Sequence, residues 1–231
     1  MLKKVFSTLL LLCFSISYGQ NTNVAFSRAL QLNIRPYIKA SNKAFRDQNF
    51  TEGVRLFDSL VNYKLVGTQF DDFTVKNLSS KKITLSKIGK PVFIITYASW
   101  CIINKGDIPA LNKIVEEQHG DLEVLVFFWG TRADLQKTSR FFHKKIQICY
   151  TDTSENENYE LVTRLKNTLG FPTSYFIDSN QKVLSINRIS NPFMGNITLE
   201  QATEQSYKNF ISMINTVRLK NNSVVLPLVE N

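Results

Sequence analysis

Five short stretches of the chain are rich in apolar and β-branched residues, the first two almost without a break: 92–97, 122–129, 146–150, 173–177 and 183–189. Short continuous runs of this kind predict strands buried on both faces. Between and after them the apolar positions recur at helical spacing, which predicts helices over 102–118, 134–142, 158–169 and 198–219. Thr198-Leu-Glu-Gln201 has the form of a capping box and marks the start of the last helix. Upstream, Ile34, Tyr37, Ile38, Ala44 and Phe45 share one helical stripe, and Asp47-Gln48-Asn49 interrupts it. Val54, Leu56, Phe57, Leu60 and Val61 then resume it, so 33–63 is expected to form a helical hairpin. From Gly67 the pattern changes to that of a β-hairpin, with arms at 70–75 and 83–85. Strands alternating with helices predict an α/β domain with a mixed sheet covered on both faces. The expected organisation is a helical segment over 20–66, an α/β domain over 67–219 and a tail over 220–231 with no clear element.

The first 19 residues read differently. Lys3 and Lys4 precede an apolar stretch over 5–16, and Ser17-Tyr18-Gly19 supplies small residues before Gln20. This is the pattern of a cleavable signal peptide, cut after Gly19. The apolar stretch is shorter than the roughly 20 residues a membrane anchor needs. Leu12 before Cys13 is larger than the residue normally found ahead of a lipidated cysteine. The mature chain is therefore expected to be exported, to the periplasm or envelope of a bacterium or beyond it, with no transmembrane segment.

With Lys3 and Lys4 removed, the 28 basic residues become 26 against 19 acidic ones, a net charge of about +7. That charge is scattered and accompanies no nucleic-acid motif, so it predicts a solvated surface and no nucleic-acid partner. Ala44 to Phe50 and the amphipathic helix after it faintly resemble one tetratricopeptide unit. One unit cannot build a solenoid, which needs about three, so a helical cap or dimerisation element is expected.

Of three cysteines, Cys13 falls within the leader, which leaves Cys101 and Cys149. Two thiols make one disulfide at most, so this is no disulfide-stapled scaffold. Trp100-Cys101-Ile102-Ile103-Asn104 follows directly on the 92–97 run. Asp107 stands six residues beyond Cys101 and Pro109 eight, and Gly170-Phe171-Pro172-Thr173 leads into the 173–177 run. In these residues, their order and their spacing, the chain resembles the TlpA-like exported thiol-disulfide oxidoreductases of the thioredoxin superfamily, over about 67–219.

The resemblance implies a thioredoxin-like fold, a central mixed sheet flanked by helices with an N-terminal β-hairpin and an inserted strand. It implies catalytic roles for Cys101, at a helix start where amides and dipole stabilise a thiolate, and for Asp107, a buried acid that moves protons. An exposed helical aspartate is the alternative for Asp107. Pro109 would kink the active-site helix, where a proline costs about 3 kcal/mol. Trp100, Phe171, Pro172 and Thr173 would meet substrate, Pro172 through a cis-proline loop with backbone groups presented to an extended peptide. The implied partners are protein or peptide thiols and disulfides and a membrane or periplasmic thiol donor.

Asn104 departs from the family pattern, since a second cysteine belongs there to resolve the mixed disulfide. Its amide and the helix amides remain available to a Cys101 thiolate, whereas Ile102 and Ile103 would oppose ionisation by desolvation. Cys149 is no substitute. Two strands at about 4.8 Å each place it roughly 10 Å or more from Cys101, beyond the roughly 7 Å reach of a disulfide, so it is expected to be a small buried hydrophobe. The threonine that peroxiredoxins carry three residues before their cysteine is replaced by Ala98, which speaks against a peroxidase. His119 and His143 have no paired spacing, so no metal is expected, and no glycine-rich phosphate loop calls for a cofactor. Two functions stay open: monothiol thiol-disulfide exchange through Cys101, and a redox-inactive thioredoxin-fold module that binds peptide or protein.

Overall fold

The computed structural model describes residues 24–98, 101, 103–130, 132–150, 169–170, 172–188 and 197–222. The leader, Trp100, Ile102, Phe171, all of the expected 158–169 helix except Leu169, and the tail beyond 222 lie outside them.

Helix α1 (Phe26–Arg46) begins seven residues before the expected 33, because its cap comes from elsewhere in the chain. The Asp71 carboxylate accepts the Ser27 amide at 2.7 Å and the Ser27 hydroxyl at 2.6 Å, satisfying donors that a helix start leaves bare. Helix α2 (Phe50–Leu60) starts at Asn49, whose side chain accepts the Glu52 amide at 3.0 Å. A single π-turn, Val61–Leu65, prolongs it. The α1–α2 pair buries Phe26, Leu30, Tyr37, Phe57 and Leu60, whereas Phe45 and Val54 from the same predicted stripe are exposed.

Strands β1 (Thr74–Lys76) and β2 (Lys82–Thr84) form the expected hairpin, with Val75 opposite Ile83. The remaining elements are β3 (Val92–Ala98), α3 (Asp107–Glu117), β4 (Glu123–Trp129), α4 (Arg132–Ser139), β5 (Gln147–Tyr150), β6 (Thr173–Ile177), β7 (Val183–Arg188) and α5 (Leu199–Asn222). Five strands form one sheet in the order β5-β4-β3-β6-β7. β3, β4 and β5 run parallel, while β6 and β7 are antiparallel to their neighbours. The expected capping box at α5 is present: Thr198 Oγ1 accepts the Gln201 amide at 3.1 Å and Gln201 Oε1 accepts the Thr198 amide at 2.9 Å.

The sheet separates two cores, and β3 serves both because successive side chains point to opposite faces. Val92, Ile94 and Ala98 join α1, α2 and the hairpin residues Phe73 and Val75. Phe93, Ile95 and Tyr97 join α3, α5 and Leu135 of α4. Aromatic contacts run through both, with Phe26 stacked on Phe70 at 5.0 Å and Phe93 edge-on to Phe210 at 5.7 Å. This is the α/β thioredoxin-like arrangement that the sequence resemblance implied. No helix among the described residues is long and apolar enough to cross a membrane.

Candidate functional site

Cys101 stands just beyond the C-terminal end of β3, half-buried and packed against both cores. Its amide donates to the Ala98 carbonyl at 2.8 Å, which closes a tight turn. Within that turn the Ala98 amide donates back to Cys101 Sγ at 3.4 Å. The position expected to begin a helix does not. α3 starts at Asp107, six residues further on, so Cys101 does not stand in the first turn of the helix. Asn104 explains the late start. Its Oδ1 accepts the Gly106 amide at 3.1 Å and its carbonyl accepts the Asp107 amide at 2.9 Å, a side-chain turn that feeds the helix. The oxygen of its amide is thereby committed to the backbone.

The late start also changes the meaning of Pro109. It falls in the first turn of α3, where an amide has no helical acceptor, so the proline removes nothing and kinks nothing. Ile103 packs against the core formed by α3, α5 and Phe93, Ile95 and Tyr97, while Lys105 donates to the carbonyl of Ile197 and ties this loop to the approach to α5. Gly106 lies so close to α5 that a Cβ there would sit 2.1 Å from the Ala202 carbonyl oxygen.

Asp107 is 1% exposed, which rules out the exposed helical aspartate. Ser206 donates to its Oδ1 at 2.7 Å and the Tyr97 hydroxyl to its Oδ2 at 3.1 Å. Burial pushes its carboxyl above the ordinary aspartate range, against the pull of the Ser206 and Tyr97 hydrogen bonds and of the one at Asn104. Burial also holds the Tyr97 phenol well above its usual range, reinforced by the charge of Asp107 and, more weakly, of Cys101. Tyr97 thus stands within the electrostatic reach of both candidate groups. Sequence reasoning missed Tyr97 and Ser206. Ser206 had left a signal, a hydroxyl at helical spacing between Ala202 and Phe210 on the apolar stripe of α5.

Pro172 and Thr173 are buried at the start of β6. Thr173 turns inward. Its hydroxyl donates to the Gly170 carbonyl at 2.7 Å, its amide donates to Thr96 Oγ1 at 3.2 Å, and its carbonyl accepts from that same hydroxyl at 3.0 Å. Through these bonds Thr173 fastens the proline segment to β3. Trp100 and Phe171, the other expected substrate contacts, lie outside the described residues, and so does the Phe171-Pro172 bond.

Cys149 lies on β5 opposite Phe127 of β4, two strands from β3 and 0% exposed. Burial pushes its thiol far up, and both described cysteines are free. Among the described residues no cluster of three or more His, Cys, Asp or Glu side chains could hold a metal ion.

Residues 66–186 match the AhpC/TSA family. The chain is 25% identical over 121 residues to the thioredoxin-like protein YneN of Bacillus subtilis, a match covering 52% of this chain and 69% of that one. It is also 25% identical over 116 residues to an uncharacterized protein of Haemophilus influenzae, covering 49% of this chain and 74% of the relative. Among solved structures, the thioredoxin domain of a thiol-disulfide oxidoreductase from Bacteroides vulgatus is similar at a TM-score of 0.47 and 13% identity, covering 63% of this chain and 96% of that one.

Proposed function

The chain belongs to the AhpC/TSA family of the thioredoxin superfamily, and from that membership and the single accessible thiol among its described residues we propose that it is a monothiol thiol-disulfide exchanger acting through Cys101. The observation that carries this reading is the contrast between the two cysteines: Cys101 is half-buried at the end of β3, and Cys149 is sealed inside the sheet. The Cys101 thiolate attacks a protein or peptide disulfide, so that a Cys101–substrate S–S bond forms as the substrate S–S bond breaks. The departing substrate sulfur leaves as a thiolate and takes a proton. With no resolving thiol in the chain, release falls to the substrate. A second substrate thiolate attacks the substrate sulfur of the mixed disulfide, so that a new S–S bond forms within the substrate as Cys101 leaves as thiolate, which rearranges disulfides with no net change in electrons. If an external thiol performs that attack instead, it stays joined to the substrate as a new disulfide.

Asp107 serves this cycle as a buried proton store, since its raised pKa lets it hold a proton where surface aspartates have lost theirs. In this reading the substrate meets Pro172, the contact that the family resemblance implies. The leader pattern of residues 1–19 supports action outside the cytoplasm, on exported protein thiols and with a membrane or periplasmic thiol donor.

The test is the pH dependence of Cys101 alkylation, measured together with the rearrangement of a scrambled disulfide protein. Thiolate formation well below pH 8, capture of mixed disulfides and catalysed rearrangement support exchange. Slow alkylation with no rearrangement overturns it in favour of a second reading, a redox-inactive module that binds peptides beside Pro172. The observation favouring that reading is the place of Cys101 six residues ahead of α3 rather than in its first turn, the position that activates a thiol.

A further inference from the structure

One side chain, Arg188, bonds both to the N-terminal helices and to the proline segment. Arg188 ends β7, and its backbone pairs with Thr173, the first residue of β6. Its side chain turns back to the other end of the same segment, where Nε donates to the Leu169 carbonyl at 2.7 Å. Arg188 therefore grips residues 169–173, the stretch that carries Pro172, at both ends. Between them Gly170 has φ +85, in the left-handed region, and a Cβ there would lie 3.8 Å from Arg188 Nε. The turn and the guanidinium are in register.

The guanidinium is in turn held by α1 and α2. Nη2 donates to the Tyr37 hydroxyl at 2.8 Å, and the group lies over the Phe57 ring at 4.3 Å from its centroid. Tyr37 and Phe57 brace one another edge-on at 6.4 Å. Arginine suits this place because its planar fork donates in two directions while its face stacks on an aromatic ring, which a lysine cannot do together.

We propose that Arg188 is a positioning residue for the Pro172 segment, and that α1 and α2, through Tyr37 and Phe57, set how firmly that segment meets a peptide substrate. The proposal rests on the reading of Pro172 as substrate-facing. It gives the helical pair a role in substrate engagement beyond that of a cap.

The test compares the full chain with Arg188→Met, Arg188→Lys and Tyr37→Phe, the last removing only a hydroxyl and leaving both rings in place. Amide hydrogen exchange of the 169–173 segment is measured beside that of α3 and α5. The rate of Cys101 with a disulfide-bonded peptide is measured beside its rate with a small symmetrical disulfide. In Arg188→Met, exchange in 169–173 is expected to quicken roughly tenfold while α3 and α5 keep their protection. The peptide reaction should fall roughly tenfold and the small disulfide stay within about twofold, a split that general destabilisation does not produce. Arg188→Lys and Tyr37→Phe should be intermediate. Unchanged exchange in 169–173, equal loosening everywhere, or an equal fall with both disulfides overturns the proposal. If the unaltered protein reacts with neither disulfide, thiol exchange fails as the function, and the exchange comparison alone still decides the role of Arg188.

Discussion

Replacing Ser206 with alanine removes one donor from the buried Asp107 carboxyl and leaves the rest of its surroundings in place. Ser206 donates at 2.7 Å, and at 4% and 1% exposure the two residues leave no room for water to substitute. A hydrogen bond between neutral groups contributes about 0.5–1.5 kcal/mol net, and one to a charged acceptor about 1.5–3 kcal/mol. Ser206→Ala should thus cost about 1 kcal/mol where Asp107 is protonated and about 2 kcal/mol where it is ionised. Burial raises the folded-state pKa above the unfolded value of 3.8, and the Ser206 bond is the largest influence opposing that rise. The folded chain then holds a proton that the unfolded chain releases, so stability falls as pH climbs from the unfolded value through the folded one. Without Ser206 the folded pKa rises further and the fall is longer. The destabilisation should be smallest near pH 4 and grow by about 1 kcal/mol toward pH 8, equivalent to about 2–4 °C in Tm for a chain of this size. Urea unfolding of both proteins at matched ionic strength across this range measures it. A difference that is flat in pH, or that shrinks as pH rises, would refute an Asp107 charge held by Ser206.

Gly106→Ala should destabilise the protein by about 3 kcal/mol in the same assay, because the new Cβ meets backbone at 2.1 Å and α3 and α5 must part to admit it. Of Cys101 and Cys149, only Cys101 should react with a thiol reagent in the native protein. Cys149 should appear only in denaturant, and its reaction before unfolding would contradict its place in the sheet. Asp71→Ala should cost about 1–2 kcal/mol, since it bares the Ser27 amide and hydroxyl at the start of α1. Unchanged urea stability would show that the cap lies elsewhere.

Local signals carried as far as local physics decides. β3 and β4 were legible because burial on both faces makes each a nearly continuous apolar run, and the α5 start because Thr198 and Gln201 satisfy one another within a single turn. The α3 start was misplaced. Ile103 packs on the core from a loop, and periodicity alone does not distinguish an apolar loop residue from the first turn of a helix. Pro109 held the better clue, since a helix's first turn takes a proline without losing a hydrogen bond, whereas an interior one such as Pro36 of α1 gives one up. α1 was begun late because its cap, Asp71, lies 44 residues from Ser27.

By itself the sequence determined the alternation of elements, the single thiol at Cys101 and the asparagine in the place of a second. Only the tertiary structure decided which distant residues meet. Asp107 receives Ser206 from 99 residues away, and Arg188 receives Tyr37 from 151. The reason is physical. Helix and strand preferences act over a few neighbours, whereas the burial of a carboxyl and the partners of a guanidinium are set by packing between elements that only the closed core brings together.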